Sequence, residues 1–358
     1  MRCPLGFPSE NRGGNDMSRQ TGGRATVRDV AAETGVSIAT VSRVLNNRGH
    51  VAPDTRALVQ GAVERLGGRA PEPRAAPAAK SDGAVYLRCP YLLTDYFGLI
   101  VSSIAETLEL HGLQLILNAG EAAQDTAVLP TLAERPGISG ALLVLPPEPS
   151  EQLAVLSACG FPFVVVDPRT PLPRDIAAVS AAHFAGARSL AAHLSGLGHR
   201  RIGVIAGPYN WLASDARLAG HASALADVGV LPDPTLIRHA QATAELGYQA
   251  AGELLNLPNR PTALIGFNDK VAVGALAAAR QRGLRVPEDL SITGFDDIDM
   301  AKATRPMLTT VRQPLQEMGR IAVSLLVRLL EHRQLDALHV ELATELVVRG
   351  STGPVAAP

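Results

Sequence analysis

Aromatic residues are scarce in this chain: seven Phe, five Tyr and one Trp in 358 residues. Cysteine is scarcer. Cys3, Cys89 and Cys159 are odd in number, far apart and without a C-x-x-C pair, which argues against both a disulfide framework and a zinc site and fits a reducing cytoplasm. No apolar run approaches the roughly 20 residues a membrane span needs. No secretory-type run lies between Arg2 and Arg12. Enzyme signatures are missing too: there is no H-E-x-x-H, no P-loop, no G-x-S-x-G elbow and no G-x-G-x-x-G. The acids Asp296, Asp297 and Asp299 crowd a strand-to-helix turn, where a cap plus one ligand contact is the expected use. The expectation is a non-enzyme with no cofactor and no bound metal.

What is present is ordinary globular material, 46% hydrophobic and 19% charged, long enough for two or three domains. The net charge of −1 conceals an asymmetry. The first 80 residues hold 12 Lys and Arg against 7 Asp and Glu, so a basic head precedes an acidic body. That distribution suits a polyanionic partner at one end only.

Residues 26–47 read TVRDVAAETGVSIATVSRVLNN. Thr26 and Asp29 have the spacing of a capping box, and Val27, Val30 and Ala31 form one apolar stripe. Gly35 stops this helix, and Ser37 caps a second whose Val41, Val44 and Leu45 repeat the stripe. Pro53 suits the first turn of a third helix with Val59, Val63 and Leu66 inward. The second helix turns Ile38, Ala39, Thr40, Ser42, Arg43 and Asn46 outward. An arginine can grip guanine through two parallel bonds, small or apolar side chains can touch a thymine methyl, and hydroxyls and amides can bond phosphates. The shape fits a DNA major groove.

The stretch AETGVSIATVSRVLN resembles the helix-turn-helix of the lactose-repressor (LacI/GalR) family of bacterial regulators. Its signature stands as Asp29-Val30-Ala31 and Gly35 through Asn46. The resemblance implies a specificity-setting role for Ile38 and Ala39, base reading by Arg43, and phosphate or positioning contacts by Ser37, Thr40, Ser42, Asn46 and Asn47.

Residues 1–25 lack periodicity and read as a disordered arm, with Met17 an alternative start. Residues 67–81, GGRAPEPRAAPAAKS, are too rich in Pro and Gly to hold a helix in isolation. Members of the family place a DNA-wedging hinge helix there. Its leucine position falls on Pro77, so a stiff tether and a weaker DNA bend are expected.

From residue 82 to 352, apolar runs alternate with amphipathic stretches: strands over 85–87, 113–117, 140–145, 163–166, 201–205, 263–266 and 290–294, and helices over 185–197, 215–228 and 271–281. This βαβ repetition means parallel sheets with helices on both faces, and its length means two lobes. Polar groups follow the strand ends: Asp167, Asn268 with Asp269, and Asp296 with Asp297. Phe97, Trp211, Phe267 and Phe295 lie beside them, and Arg217 sits early in a helix. Acids, an amide, an arginine and rings converging describe a carbohydrate-type site. Asp269 or Asp297 could equally cap the following helix, and Phe267 or Phe295 could be core.

GHRRIGVIAGP, PTALIGFNDKVAVGALAA, LRVPEDLSITGFDDI and RPMLTTVRQPLQEMG resemble the effector domain of the same family. The implied fold is an all-α three-helix head (26–66) joined to an α/β periplasmic-binding-protein-like domain of two parallel-sheet lobes, with a short tail at 353–358. The implied effector residues are Tyr96, Phe97, Asp167, Arg217, Asn268 and Asp296. Ala182 and His183 stand where many members have Asp-Asn, and Ala242 stands where some sugar binders have an aromatic. Together these imply a cytoplasmic, dimeric regulator, a repressor of a palindromic operator, controlled by a sugar-like effector. Two alternatives stay open: a sugar-binding protein with a weak or vestigial head, and a regulator using a purine or phosphosugar corepressor.

Overall fold

The computed structural model describes residues 27–37, 40, 41, 44, 52–66, 83–125 and 128–355. The chain divides into two compact units, residues 1–77 and 78–358. The expected arm (1–25) and tether (67–81) lie outside the described residues.

In the first unit, α1 spans Val27–Thr34 and α2 spans Pro53–Arg65; between them residues 40, 41 and 44 are helical. Gly35 follows α1 at φ +69°, the left-handed geometry that ends a helix and that glycine adopts without strain. Ser37 caps the next helix: its Oγ accepts from Thr40 N at 3.2 Å. Val30, Val41, Val44, Val59, Ala62 and Val63 are buried together. Among the described residues this core is small.

The second unit contains a six-stranded and a four-stranded parallel sheet, hence two lobes. The first sheet has β1 (Ala84–Cys89), β2 (Leu115–Ala119), β3 (Ile138–Val144), β4 (Phe163–Val166), β5 (Ala177–Ala181) and a late strand, β11 (His339–Leu342), in the order β11-β5-β4-β3-β1-β2. The second has β6 (Ile202–Ala206), β7 (Ile237–His239), β8 (Ala263–Gly266) and β9 (Ser291–Thr293), in the order β7-β6-β8-β9. A short antiparallel pair joins β10 (Thr310–Arg312) to β12 (Glu345–Val347). Central strands β1, β4, β6 and β8 are buried along their whole length, which is why they read as unbroken apolar runs rather than alternations.

The helices are α3 (Asp95–Leu110), α4 (Val128–Thr131), α5 (Ser150–Ala158), α6 (His183–Gly196), α7 (Leu212–Ala226), α8 (Ala244–Leu255), α9 (Asp269–Gln281), α10 (Asp299–Ala303) and α11 (Leu315–Leu330). Helix α11 returns to the first lobe, where Leu315, Met318, Ala322 and Leu326 join a core with Val85, Ile100, Ile104 and Val164. Ser103 Oγ on α3 seals that return by donating to Gln316 O, 213 residues further on. The chain thus passes between lobes near residues 182, 313 and 343, since β11 belongs to the first sheet and β12 pairs outside it. Among the described residues, no helix is long and apolar enough to cross a membrane.

Several expected bounds shift by up to three residues, and two of the shifts matter here. The strand expected at 113–117 runs over 115–119, because Leu113 is buried in the turn leaving α3 while β2 is an edge strand with exposed Ile116 and Leu117. Helix α7 begins three residues before 215, which places Arg217 in its second turn.

Candidate functional site

In open parallel sheets, ligands sit beyond the carboxyl ends of the strands. Here those ends from both lobes face one cleft of about 470 Å³. Tyr91 follows β1, Leu145 follows β3, Asp167 ends β4, Phe267 and Asn268 end β8, and Asp296 follows β9; all six line it. Leu145, Asp167 and Asp296 have φ of 42°, 55° and 117°. Such backbone is costly for residues with a Cβ and is typical of sites where strand ends are bent toward a ligand. All six effector residues implied by the resemblance, Tyr96, Phe97, Asp167, Arg217, Asn268 and Asp296, lie in this wall.

The polar side chains form one connected, buried system. Tyr96 Oη donates to Asp167 Oδ2 at 2.7 Å, and Asp167 Oδ1 lies 2.7 Å from His183 Nε2. The other ring nitrogen, His183 Nδ1, lies 3.3 Å from Arg217 Nη2. Arg217 Nη1 donates to Phe267 O at 2.6 Å, and Nη2 is 3.9 Å from Asp296 Oδ1. Gln313 Nε2 donates to Asp296 Oδ1 at 2.6 Å. The guanidinium is sandwiched by rings, 3.7 Å from the Phe295 centroid and 4.5 Å from that of Phe267, a geometry that favours a cation. Gly207 makes room for this: a Cβ there would sit 2.5 Å from the Phe267 ring.

Burial governs the titration of these groups. It pushes Asp296 up to about 7, against the lowering pull of Arg217 and the Gln313 hydrogen bond. Burial also acts on Asp167, but His183, Tyr96 and Arg217 outweigh it and hold that carboxyl below its ordinary value. Arg217 is lowered by burial and supported by the surrounding acids. Asp167 is therefore the ionised acceptor of the cleft, and Asp296 is poised near neutrality.

Asn268 caps α9 through Oδ1, which accepts from Val271 N at 3.0 Å; its amide nitrogen has no partner among the described residues. The acids beside it divide their work. Asp269 does not cap: it is fully buried and accepts from Thr310 Oγ1 at 2.6 Å and Ile298 N at 2.9 Å, tying the 294–298 turn to β10. Asp297 braces β10 and the chain end through Arg312 at 2.7 Å and Arg349 at 2.5 Å. Asp299 faces solvent. Asp296, Asp297 and Asp299, close in sequence, thus point three ways rather than converging: into the cleft, toward Arg312 and Arg349, and into solvent.

Aromatic walls complete the cleft. Tyr91 stacks on Phe97 at 4.5 Å and 3°, and Trp211 meets both Tyr91 and Phe267 edge-on. Phe295 is core beneath the arginine, whereas Phe267 both packs and lines the cleft. His183, Gln313, Tyr91, Glu121, Gln124 and Lys270 were not among the expected site residues. The first two occupy the lobe crossings, a position invisible in local pattern. Lys270 Nζ donates across the cleft mouth to Thr94 Oγ1 at 3.1 Å.

Of the expected DNA-binding residues, Ser37 and Thr40 are described, and their hydroxyls lie 2.9 Å apart. Ile38, Ala39, Ser42, Arg43, Asn46 and Asn47 lie outside the described residues.

A small helical head with a capped second helix, followed by two parallel-sheet lobes around a polar and aromatic cleft, defines the class: a helix-turn-helix transcription regulator with a binding-protein-like domain. The comparisons narrow this further. Residues 26–67 match the model for bacterial regulatory proteins of the lacI family, and residues 191–352 match the periplasmic binding protein-like domain. The HTH-type transcriptional repressor CytR of Escherichia coli (strain K12) is 34% identical, over 92% of this chain and 96% of its own. A transcriptional regulator CelR–cellobiose complex has a TM-score of 0.69 at 30% identity, covering 92% of this chain and 100% of its own. A lac repressor dimer bound to operator has a TM-score of 0.67 at 29% identity, with the same coverage. The chain belongs to the LacI family of bacterial transcription regulators.

Proposed function

We propose that this protein is a cytoplasmic, dimeric repressor that reads a palindromic operator and is controlled by a small, uncharged carbohydrate-type effector held between the lobes. In the head, Arg43 reads bases, Ile38 and Ala39 set sequence preference, and Ser37, Thr40, Ser42, Asn46 and Asn47 contact phosphates or fix the helix on them. Two-fold symmetry of the protein is mirrored by the operator. The domain limits proposed are 26–66 for the head, 67–81 for the tether and 82–352 for the effector domain.

The observation that carries the effector reading is the convergence of Asp167, Arg217, Asn268 and Asp296 with Tyr96, Phe97 and Trp211 around one cleft. Carboxylate and guanidinium together bond vicinal hydroxyls as acceptor and donor, and rings cover the apolar face of a sugar. Arg217 has five N–H donors but only two hydrogen bonds at ordinary distance, so donors remain for a ligand. The charges favour a neutral ligand over a phosphosugar: Arg217 lies between acids, and Lys270 is engaged by Thr94. The relative solved with cellobiose supports a sugar, without fixing which one.

Trp211 is the only tryptophan and lines the cleft, so its emission reports occupancy directly. The test is a panel of mono- and disaccharides, nucleosides and phosphosugars titrated against Trp211 fluorescence, then against operator binding. A neutral sugar should change both at the same concentration. If only phosphorylated compounds did so, the effector class would be wrong.

A further inference from the structure

His183 stands at the first lobe crossing, as the opening residue of α6, and is buried. Its two ring nitrogens face opposite lobes. Nε2 meets the Asp167 carboxylate, which ends β4 in the first lobe, at 2.7 Å. Nδ1 meets Arg217 Nη2, on α7 of the second lobe, at 3.3 Å. A guanidinium can only donate and an ionised carboxylate can only accept. Both bonds form together in one tautomer: Nε2–H donates to Asp167 while bare Nδ1 accepts from Arg217. The Nδ1–H tautomer breaks both bonds. The imidazolium keeps the Asp167 bond but turns an N–H toward a guanidinium. The ring is further confined by Phe295, whose centroid is 6.1 Å away.

We propose that His183 is the positioning residue of the effector site, a neutral Nε2–H relay that joins Asp167 to Arg217 across the lobes and aims both at the ligand. Its side-chain hydrogen bonds are with these two residues, and it does not line the cleft, so it acts through them. Tyr96 holds the second carboxylate oxygen of Asp167, and Phe267 O holds the other terminal nitrogen of Arg217. Each cleft residue is thereby fixed from one side by its own lobe and from the other by His183. Removing the ring leaves a buried carboxylate oxygen and a buried guanidinium nitrogen each short of a partner, the costly arrangement. An Asn or Gln side chain also offers one donor and one acceptor, whereas Leu fills the volume and offers neither.

The importance for ligand binding rests on the proposed function, but the hydrogen-bond relay does not. The test is therefore independent of any ligand. Full-length protein is labelled with ¹⁵N-histidine, and the His183 ring signals are assigned by their loss in His183→Gln. The expected signature is a neutral ring with Nε2 protonated and Nδ1 bare, with the Nδ1 resonance moving in Arg217→Met as its donor is withdrawn. An imidazolium, an Nδ1–H ring or an Nδ1 signal indifferent to Arg217→Met would overturn the proposal. Melting temperatures give a second reading. His183→Leu should melt several degrees lower and His183→Gln should recover most of the loss; Leu equal to or better than Gln would reduce His183 to a packing residue and sink the relay. Failure to find a cleft ligand would instead count against the proposed function and leave both readings decisive.

Discussion

Replacing Arg217 with Met separates charge from shape at the centre of the cleft. Methionine keeps an unbranched apolar stem between Phe267 and Phe295, which lie 4.5 and 3.7 Å from the guanidinium. It removes the bond to Phe267 O, the bond to His183 and the attraction to Asp296. Folding should survive, because Asp296 is already pushed up to about 7 by burial and can take a proton when its cation leaves. The ligand has no such refuge. A hydrogen bond from a charged donor is worth about 1.5–3 kcal/mol, so losing one should weaken effector binding roughly 10- to 150-fold. Operator affinity without effector should be unchanged, since the head is a separate compact unit. The assay is operator anisotropy with increasing ligand, run in parallel with Trp211 emission. A variant whose midpoint for effector matches the parent would refute the assignment of Arg217 as a ligand-binding group.

Other perturbations probe the same account. Arg43→Ala should abolish discrimination among operator sequences, about 1–3 kcal/mol per guanine contact, while leaving ligand-induced Trp211 changes intact; preserved discrimination in a footprint would count against the head assignment. Asp296 has a folded value raised from 3.8 to about 7, so its contribution to stability is full below 3.8 and is lost as pH rises through 7. Asp296→Asn should therefore gain stability relative to the parent between pH 5 and 8 in urea melts, and an unchanged difference would contradict the burial argument. His221 is buried with no partner for either ring nitrogen among the described residues, and burial, then Arg217, lowers it from 6.5 to about 3. Its stability contribution is present above pH 6.5 and is lost as pH falls toward 3. His221→Leu should be more acid-resistant by about 3 kcal/mol at pH 4.5, and a parent equally stable at pH 7 and 4.5 would exclude this. Gly274→Ala would bring a Cβ within 2.0 Å of Ala244 O between α8 and α9. Overpacking of that kind costs about 1–3 kcal/mol, and an undiminished melting temperature would show that the two helices are not so closely packed.

Much of the architecture was legible because burial on both sheet faces leaves its mark in consecutive residues. Phe163-Val164-Val165-Val166 and Ala263-Leu264-Ile265-Gly266 fall on β4 and β8 with no displacement. The same logic located Asp167, Asn268 and Asp296, since parallel strands point their carboxyl ends at one crevice. The edge strand β2 was less legible because its side chains are unevenly exposed. Helix α11 and strand β11 gave no sign of belonging to the first lobe. Their partners are remote in sequence: Ser103 for Gln316, and Ala178 for His339. His183 stood out only as a departure from the family pattern, and its role was not legible: that role lies in Asp167 and Arg217, which no local pattern joins to it. The three acids after β9 looked equivalent in sequence, yet only Asp296 lines the cleft, because Arg312 and Arg349 draw Asp297 away.

Effector and operator must be coupled reciprocally if the cleft controls the head. The most direct test measures ligand affinity by Trp211 emission with and without saturating operator, alongside operator affinity with and without saturating ligand. The two ratios should agree, at a factor of about 5–150. A ligand that fills the cleft while leaving operator affinity unchanged would contradict the account.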